Sequence, residues 1–537
     1  MNRKSSALAA ASALTRIDDQ TSIARLRISI LLTATVAFVL VHFPSAHAAQ
    51  PAVVQRGYDH GVSGATLSET TLTHSNVAPG RFGLVFKLSV DNHIWAQPLY
   101  VPMVLINNVA HNVLYVATQS DTVYAFDADK GGAPLWTRHL AALSNAVACP
   151  SGIFSTPVID LATNKLYAVT CTLENNTMVF RLQAIDITTG VPRAGSGVVI
   201  SGSYQSATFD ASSQGQRVSL VLVGNNVVFG FSGHRKEGPS PFYDGWVMAY
   251  DKLTLTQTGI FAAETSGNGG AGVWQSGRPP AVGGLGYVYV ITGNAYGGGY
   301  DGVHNFSESV LRLDPAHGLK LVDWFTPSNW SALDAGNLDL SSSGPMVVPG
   351  TSLLVGGGKT GVLYVLNTAN LGKKTANDSG AAQKIQISPG WLMGGPVYWQ
   401  RSAASGGPLL YNWGTGDRLK AFSFNGSRFA TTPSAQGSIQ AYRPGGILTL
   451  SANGETGGTG VLWAIIPTNN NEELNLPTPG ALYAFAAGNV AIELWDSQMD
   501  ATQDSFGNLA RFVPPLVANG RVYVATWSNQ VAVYGLK

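Results

Sequence analysis

Eight short apolar strands of this sequence open on a polar, cationic or small residue, in most cases one residue ahead of a proline. The openings are Gln97-Pro98-Leu99, Thr156-Pro157-Val158, Arg217-Val218-Ser219-Leu220-Val221, Arg278-Pro279-Pro280, Gly344-Pro345-Met346, Gly395-Pro396-Val397, Arg443-Pro444-Gly445 and Pro514-Pro515-Leu516. Guanidinium forks and amides that converge on one concave mouth suit an anionic, planar, polar ligand. Gln275 and Lys359 lie near such openings, and Trp274 beside one of them offers an aromatic face for stacking. The candidate ligand-binding set is therefore Gln97, Thr156, Arg217, Trp274, Gln275, Arg278, Lys359 and Arg443. The competing reading has these cations paired with acids such as Asp91, Asp417 or Asp504, or facing solvent.

Other motifs lose their chemistry on inspection. Gly357-Gly358-Lys359-Thr360 ends like a phosphate-binding loop, but a strand follows it, and without a helix N-terminus there is no phosphate cradle. Gly267–Gly272 matches G-x-G-x-x-G, yet Val273-Trp274-Gln275-Ser276-Gly277-Arg278-Pro279-Pro280 cannot open a helix. Asp127-Ala128-Asp129-Lys130 starts like a calcium loop, then places Gly131 and Arg138 at ligand positions. These three stretches read as turns and loops. No catalytic residue is identified, and no metal site.

The stretch Val113–Trp136 shows what must position the candidates. Apolar and other residues alternate with period two through Leu114–Ala117 and Val123–Phe126, and the runs are separated by turns at Ser120-Asp121 and Asp129–Gly132. That pattern is an antiparallel meander. Copies of its second strand and turn begin near Leu182, Val247, Val310, Val362, Leu419 and Leu482. A repeat of about 50–70 residues with four strands is the size of one propeller blade. Proline at the first position of a strand is tolerated because its missing N–H falls outside the ladder. The last unit offers only three strands, Pro515–Ala518, Arg521–Thr526 and Gln530–Tyr534, and Phe82–Val90 is a strand with no neighbour upstream. Pairing the two removes the exposed sheet edges. The expectation is an all-β, eight-bladed propeller over 81–537, closed by its N-terminal strand. It becomes seven-bladed if the Arg217 or Arg443 unit is an insertion.

The turns carry a resemblance. Ala125–Trp136, AFDADKGGAPLW, with looser copies at 184–190 and 481–495, resembles the repeat of the pyrroloquinoline-quinone (PQQ)-like propeller superfamily. That superfamily includes the quinoprotein alcohol dehydrogenases and a propeller lipoprotein of outer-membrane assembly. The resemblance covers about 69–537 and implies the fold. It offers PQQ as a cofactor, and a quinoprotein-type oxidoreductase acting on an alcohol or sugar as one activity. Those dehydrogenases carry an adjacent Cys-Cys disulfide and a Glu/Asn/Asp calcium site. Here the cysteines are Cys149 and Cys171, and no acidic cluster of matching spacing is visible, so Ca²⁺ has no support in the sequence. The first reading is a ligand- or protein-binding scaffold, with the oxidoreductase as its rival. A third option is a carbohydrate-acting enzyme using Asp244, Asp301 or Asp334.

Bulk properties frame this. The chain has 537 residues, a formal charge of +1 and 12% charged residues, against about 25% in an average domain. No basic excess points to nucleic acid or an anionic membrane. Arg25 and Arg27 precede the apolar run Ile28–Phe43, and Ala46-His47-Ala48 supplies a small-x-small cleavage pattern. Residues 1–48 read as a secretory signal, or an uncleaved anchor, and 49–80 as an extended lead-in wrapping the body. A secreted or periplasmic chain would favour a Cys149–Cys171 disulfide over two buried thiols. Expected partners are a small anionic ligand or a protein, with no nucleic acid and no membrane span after cleavage; the chain reads as a monomer.

Overall fold

Each of the eight openings leads into the innermost strand of a four-stranded antiparallel blade. The innermost strands are Leu99–Ile106, Val158–Asp160, Val221–Val223, Ala281–Val282, Met346–Val347, Val397–Trp399, Ile447–Ser451 and Leu516–Ala518, in blades 1 to 8. This computed structural model describes residues 51–141, 147–149, 152–233, 243–471 and 476–537. The signal segment expected at 1–48 lies outside the described residues. No helix among the described residues is long and apolar enough to cross a membrane.

Blade 8 contributes its own three strands, and its outermost strand is Phe82–Ser89, antiparallel to Gln530–Leu536 with Phe82 opposite Leu536 and Ser89 opposite Gln530. Phe82 is fully buried between Trp463, Trp495 and Tyr534, at centroid distances of 5.3, 5.0 and 6.4 Å. The ring is thus closed by the two ends of the propeller chain, and Gln530–Leu536 is not left as an exposed edge.

Blade strands are apolar on both faces because each face meets a neighbouring blade. In Val109–Ala117, Leu114 and Val116 pack with Tyr523 and Ala525 of blade 8. Val113 and Tyr115 pack with Leu166 and Ala168 of blade 2. The repeated aspartate has a structural task. At the end of the third strand its carboxylate accepts the N–H groups that follow: Asp127 from Asp129 and Lys130, Asp186 from Thr188 and Thr189, Asp251 from Leu253 and Thr254. Such Asx turns close the third-to-fourth strand hairpin. Tryptophan then joins blades: the Trp136 indole of blade 1 donates to the Ile187 carbonyl of blade 2 at 3.2 Å. Its ring lies over Gly190, where φ is +66° and a Cβ would come within 2.7 Å of the indole. Phe86 of the closing strand meets Gly131 of blade 1 in the same way.

The lead-in departs from expectation. It does not wrap the outside of the body; residues 53–67 run inside the channel. Its carbonyls accept from the innermost strands in turn: Val53 from Tyr100, Val54 from Ile159, His60 from Val282, Gly61 from Val347, Ser63 from Tyr398 and Gly64 from Leu450. Ala65–Thr66 adds a short parallel pairing with Leu450 and Ser451, and the Tyr58 hydroxyl accepts from Val517 N of blade 8 at 2.7 Å. A polar, glycine-rich segment suits this place because it bonds through its backbone and turns at Gly57 and Gly64, both at positive φ. The chain then emerges at blade 7, where Glu69 N donates to Ala452 O, and reaches the rim of blade 8.

Candidate functional site

Four residues ahead of the first residue of an innermost strand, five of the eight blades place an aromatic or cationic side chain: Trp95, Phe154, Arg217, Arg443 and Phe512. Equivalent positions on successive blades converge on the axis, so these groups form a collar at one mouth of the channel. Trp95 and Phe154 have centroids 4.1 Å apart. The Arg217 guanidinium lies 4.8 Å from the Phe154 ring centroid, 5.5 Å from Phe512 and 5.8 Å from Trp274. Across the mouth, Trp391 carries Arg443 at 4.7 Å and Lys359 at 5.3 Å. Phe512 is packed with Met393, Ile447 and Trp391, which joins the two sides. An open depression of about 440 Å³ adjoins Trp391 and Arg443, and is also lined by Thr415, Gln440, Tyr442 and Asn470.

Two guanidiniums at this mouth have no carboxylate beside them among the described residues. Among the described residues Arg217 and Arg511 have no carboxylate oxygen within 4.0 Å. Burial pushes the Arg217 guanidinium down to about 10, and burial with the nearby Arg443 lowers Arg511. The acids that sequence offered as partners are engaged elsewhere: Asp417 with Lys420, Asp504 with Lys537, and Asp91 with the hydroxyls of Thr118 and Thr122. Lys359 differs, since it forms an ion pair with Asp339 and donates to Asn337.

Asp339 opens onto a buried acidic group. A side chain at Gly293 would collide with the Asp339 carboxylate and the Trp274 ring, which places this acid beside the collar. Glu308, fully buried, accepts from Leu340 N, and burial followed by the Asp339 charge holds its carboxyl well above the usual range. Asp334 accepts from Ala295 N at 3.0 Å and from the Ser307 hydroxyl at 3.2 Å; burial raises it to about 6. Among the described residues no group of three or more His, Cys, Asp or Glu is placed to hold a metal ion.

The structure sorts the predicted site residues into two levels. Arg217, Trp274, Lys359 and Arg443 belong to the collar. Gln97 and Arg278 lie deeper, around a small cavity shared with Arg56 of the threaded segment. The two remaining residues serve the backbone. Thr156 accepts from Gln97 N through its hydroxyl, and buried Gln275 donates to the carbonyls of Arg278 and Pro279 and accepts from Ile291 N. The openings are not equivalent because they stand in different registers: Gln97 and Thr156 are two residues ahead of their strands, Arg217 and Arg443 four. Sequence reading missed Phe154 and Phe512, which the four-residue offset would have found, and Trp391, Arg511 and Arg56, which that offset does not reach. The Cys149–Cys171 disulfide, with Cα atoms 5.4 Å apart, ties the loop that carries Phe154 to the second strand of blade 2.

A family profile described as outer membrane protein assembly factor BamB matches residues 81–297, which span blades 1 to 3 and half of blade 4. No curated protein matches the sequence. Among solved structures, a quinohemoprotein alcohol dehydrogenase from Pseudomonas putida HK5 aligns over 90% of this chain and 80% of its own, at a TM-score of 0.56 and 14% identity. The quinohemoprotein alcohol dehydrogenase of Comamonas testosteroni gives the same coverage and TM-score at 15% identity. At such identities the likeness is one of fold. The chain is thus an eight-bladed β-propeller that matches the assembly-factor profile over residues 81–297 and shares its fold with the quinohemoprotein alcohol dehydrogenases.

Proposed function

We propose that this propeller binds a planar organic anion in its collar and acts as a ligand-binding scaffold outside the cytoplasm. The observation that carries the reading is Arg217: a guanidinium held among Phe154, Trp274 and Phe512, with no carboxylate within reach among the described residues. A half-buried cation flanked by aromatic faces gains most from a ligand that is both flat and negative. The disulfide between the chain's two cysteines supports an oxidising compartment, and so does the likeness to the assembly-factor family.

PQQ, a planar tricarboxylate, is the first ligand to test, because the structural neighbours are quinohemoprotein dehydrogenases. The donor set suits it. Arg217 and Arg443 would hold carboxylates, and Trp274 or Trp391 would stack on the ring system. Bound PQQ would supply two-electron redox chemistry.

The second reading, oxidation of an alcohol or sugar, is favoured by one feature: Asp334, raised to about 6, lies in the acidic group beside Trp274. A carboxyl that titrates near neutrality suits a general base. Binding ranks first because Asp339 is engaged by Lys359 and Glu308 is fully buried. Titration of the full chain with PQQ, followed by absorbance and by dye reduction with a panel of alcohols and sugars, separates the readings. Saturable binding without turnover supports the scaffold, turnover supports the oxidoreductase, and no saturable binding of PQQ or other planar polycarboxylates rejects both.

A further inference from the structure

Below the collar, the threaded segment and the strand openings enclose a second polar space, separate from the proposed ligand site. Phe512 divides the two: its ring faces Arg217 above, and its carbonyl accepts from Arg56 Nη2 at 2.5 Å below. This partly open cavity measures about 10 Å³, room for one small particle. Arg56, Gln97 and Arg278 line it, at 3%, 1% and 5% exposure.

Three of its polar atoms are unmatched among the described residues: both amide atoms of Gln97, and Arg278 Nε. The rest of Arg278 is fixed: Nη2 donates to Val62 O at 2.6 Å and Nη1 to Gly394 O at 3.4 Å. Its side chain crosses Gly344 and Gly395, where any Cβ would come within 2.7 Å of it. Those two glycines therefore keep a guanidinium on the axis. The nearby acid is Asp59, whose carboxylate accepts from Ser63 N and Oγ and lies more than 4.0 Å from either arginine. Two guanidiniums and one carboxylate leave a net charge of +1 around this small space. A single monovalent anion balances that charge, and the small volume favours a monatomic one.

We propose that this cavity is a buried halide site, occupied by chloride, in which Gln97 Nε2 and Arg278 Nε donate to the ion and Arg56 supplies the second positive charge. The ion would pin the threaded segment to the channel wall at the level where blades 1, 4 and 8 meet the axis.

Crystals of the full chain soaked in bromide give the direct test: one anomalous peak within hydrogen-bonding distance of Gln97 and Arg278 is expected. A cavity with no anomalous scatterer, holding water alone, overturns the proposal. In solution, melting in sodium chloride should exceed melting in sodium gluconate at equal ionic strength by about a few degrees. Gln97→Leu and Arg278→Met should abolish that difference, whereas Arg217→Met should retain it. An equal chloride effect in wild type and Gln97→Leu would mean binding elsewhere and would also overturn the site. Gln97→Leu carries the solution test if Arg278→Met does not fold, and loss of ligand binding in the collar would leave both readouts untouched.

Discussion

Arg56 and Phe512, separated by 456 positions in the chain, are joined at the propeller axis by a hydrogen bond of 2.5 Å from guanidinium to carbonyl. One residue belongs to the lead-in and the other to the opening of the last blade. The contact ties the segment inside the channel to the collar above it. Replacing Arg56 by Met removes a charge-assisted bond worth about 1.5–3 kcal/mol but also removes a positive charge beside Arg278, which opposes the loss. The expected net destabilisation in urea unfolding is therefore about 1 kcal/mol, with a larger effect on affinity at the collar than on global stability.

Ring closure should be the more sensitive point. Phe82 is fully buried against Trp463, Trp495 and Tyr534, and Phe82→Ala should cost about 3–5 kcal/mol through lost contacts and a cavity. Denaturant unfolding measures this. A cost below about 1 kcal/mol would mean that the closing strand is not what holds blade 8.

The glycine at 395 should resist substitution. Its φ is +78°, and a Cβ would meet the Arg278 side chain at 2.7 Å. Gly395→Ala is expected to destabilise by about 1–3 kcal/mol, and the double variant with Arg278→Ala should recover part of that loss. A strictly additive double-mutant cycle would contradict the steric account.

Buried carboxyls set a pH trend. Burial, and then the Glu264 charge, raise Asp244 to about 7. The folded state therefore holds this proton more tightly than the unfolded chain, whose aspartates titrate near ~3.9. The stabilisation is full below that value and is lost as pH rises through about 7. Asp244→Asn should melt higher than wild type at pH 8, on the order of 2 kcal/mol, and the advantage should shrink at pH 5. Melting curves at the two pH values check both sign and trend.

Much of this was legible beforehand because it is written in side chains. The prolines ahead of seven innermost strands, the Asp turns at Asp127, Asp186 and Asp251, and the tryptophan at Trp136 repeat with the blade, so strand order and closure by Phe82–Ser89 could be read from spacing. The Arg217 unit belonged to the ring although it lacks the proline. The path of residues 53–67 was not legible, because it is set by backbone carbonyls bonding to innermost strands far apart in sequence, and such bonds carry no residue signature. For the same reason Arg56 could not be placed with Arg278. The candidate residues were assigned to one shared position, whereas their offsets from the strands differ by two residues. That small difference in register decides which side of Phe512 a side chain reaches.

The central claim is that the Arg217 collar holds a planar anion. Calorimetric titration of the full chain and of Arg217→Met with PQQ and with planar aromatic polycarboxylates tests it most directly. The account predicts saturable single-site binding to wild type, weakened at least about tenfold by the substitution, a loss of ~1.4 kcal/mol, with folding unimpaired. Equal affinity in the two proteins, or no saturable binding to either, would contradict it.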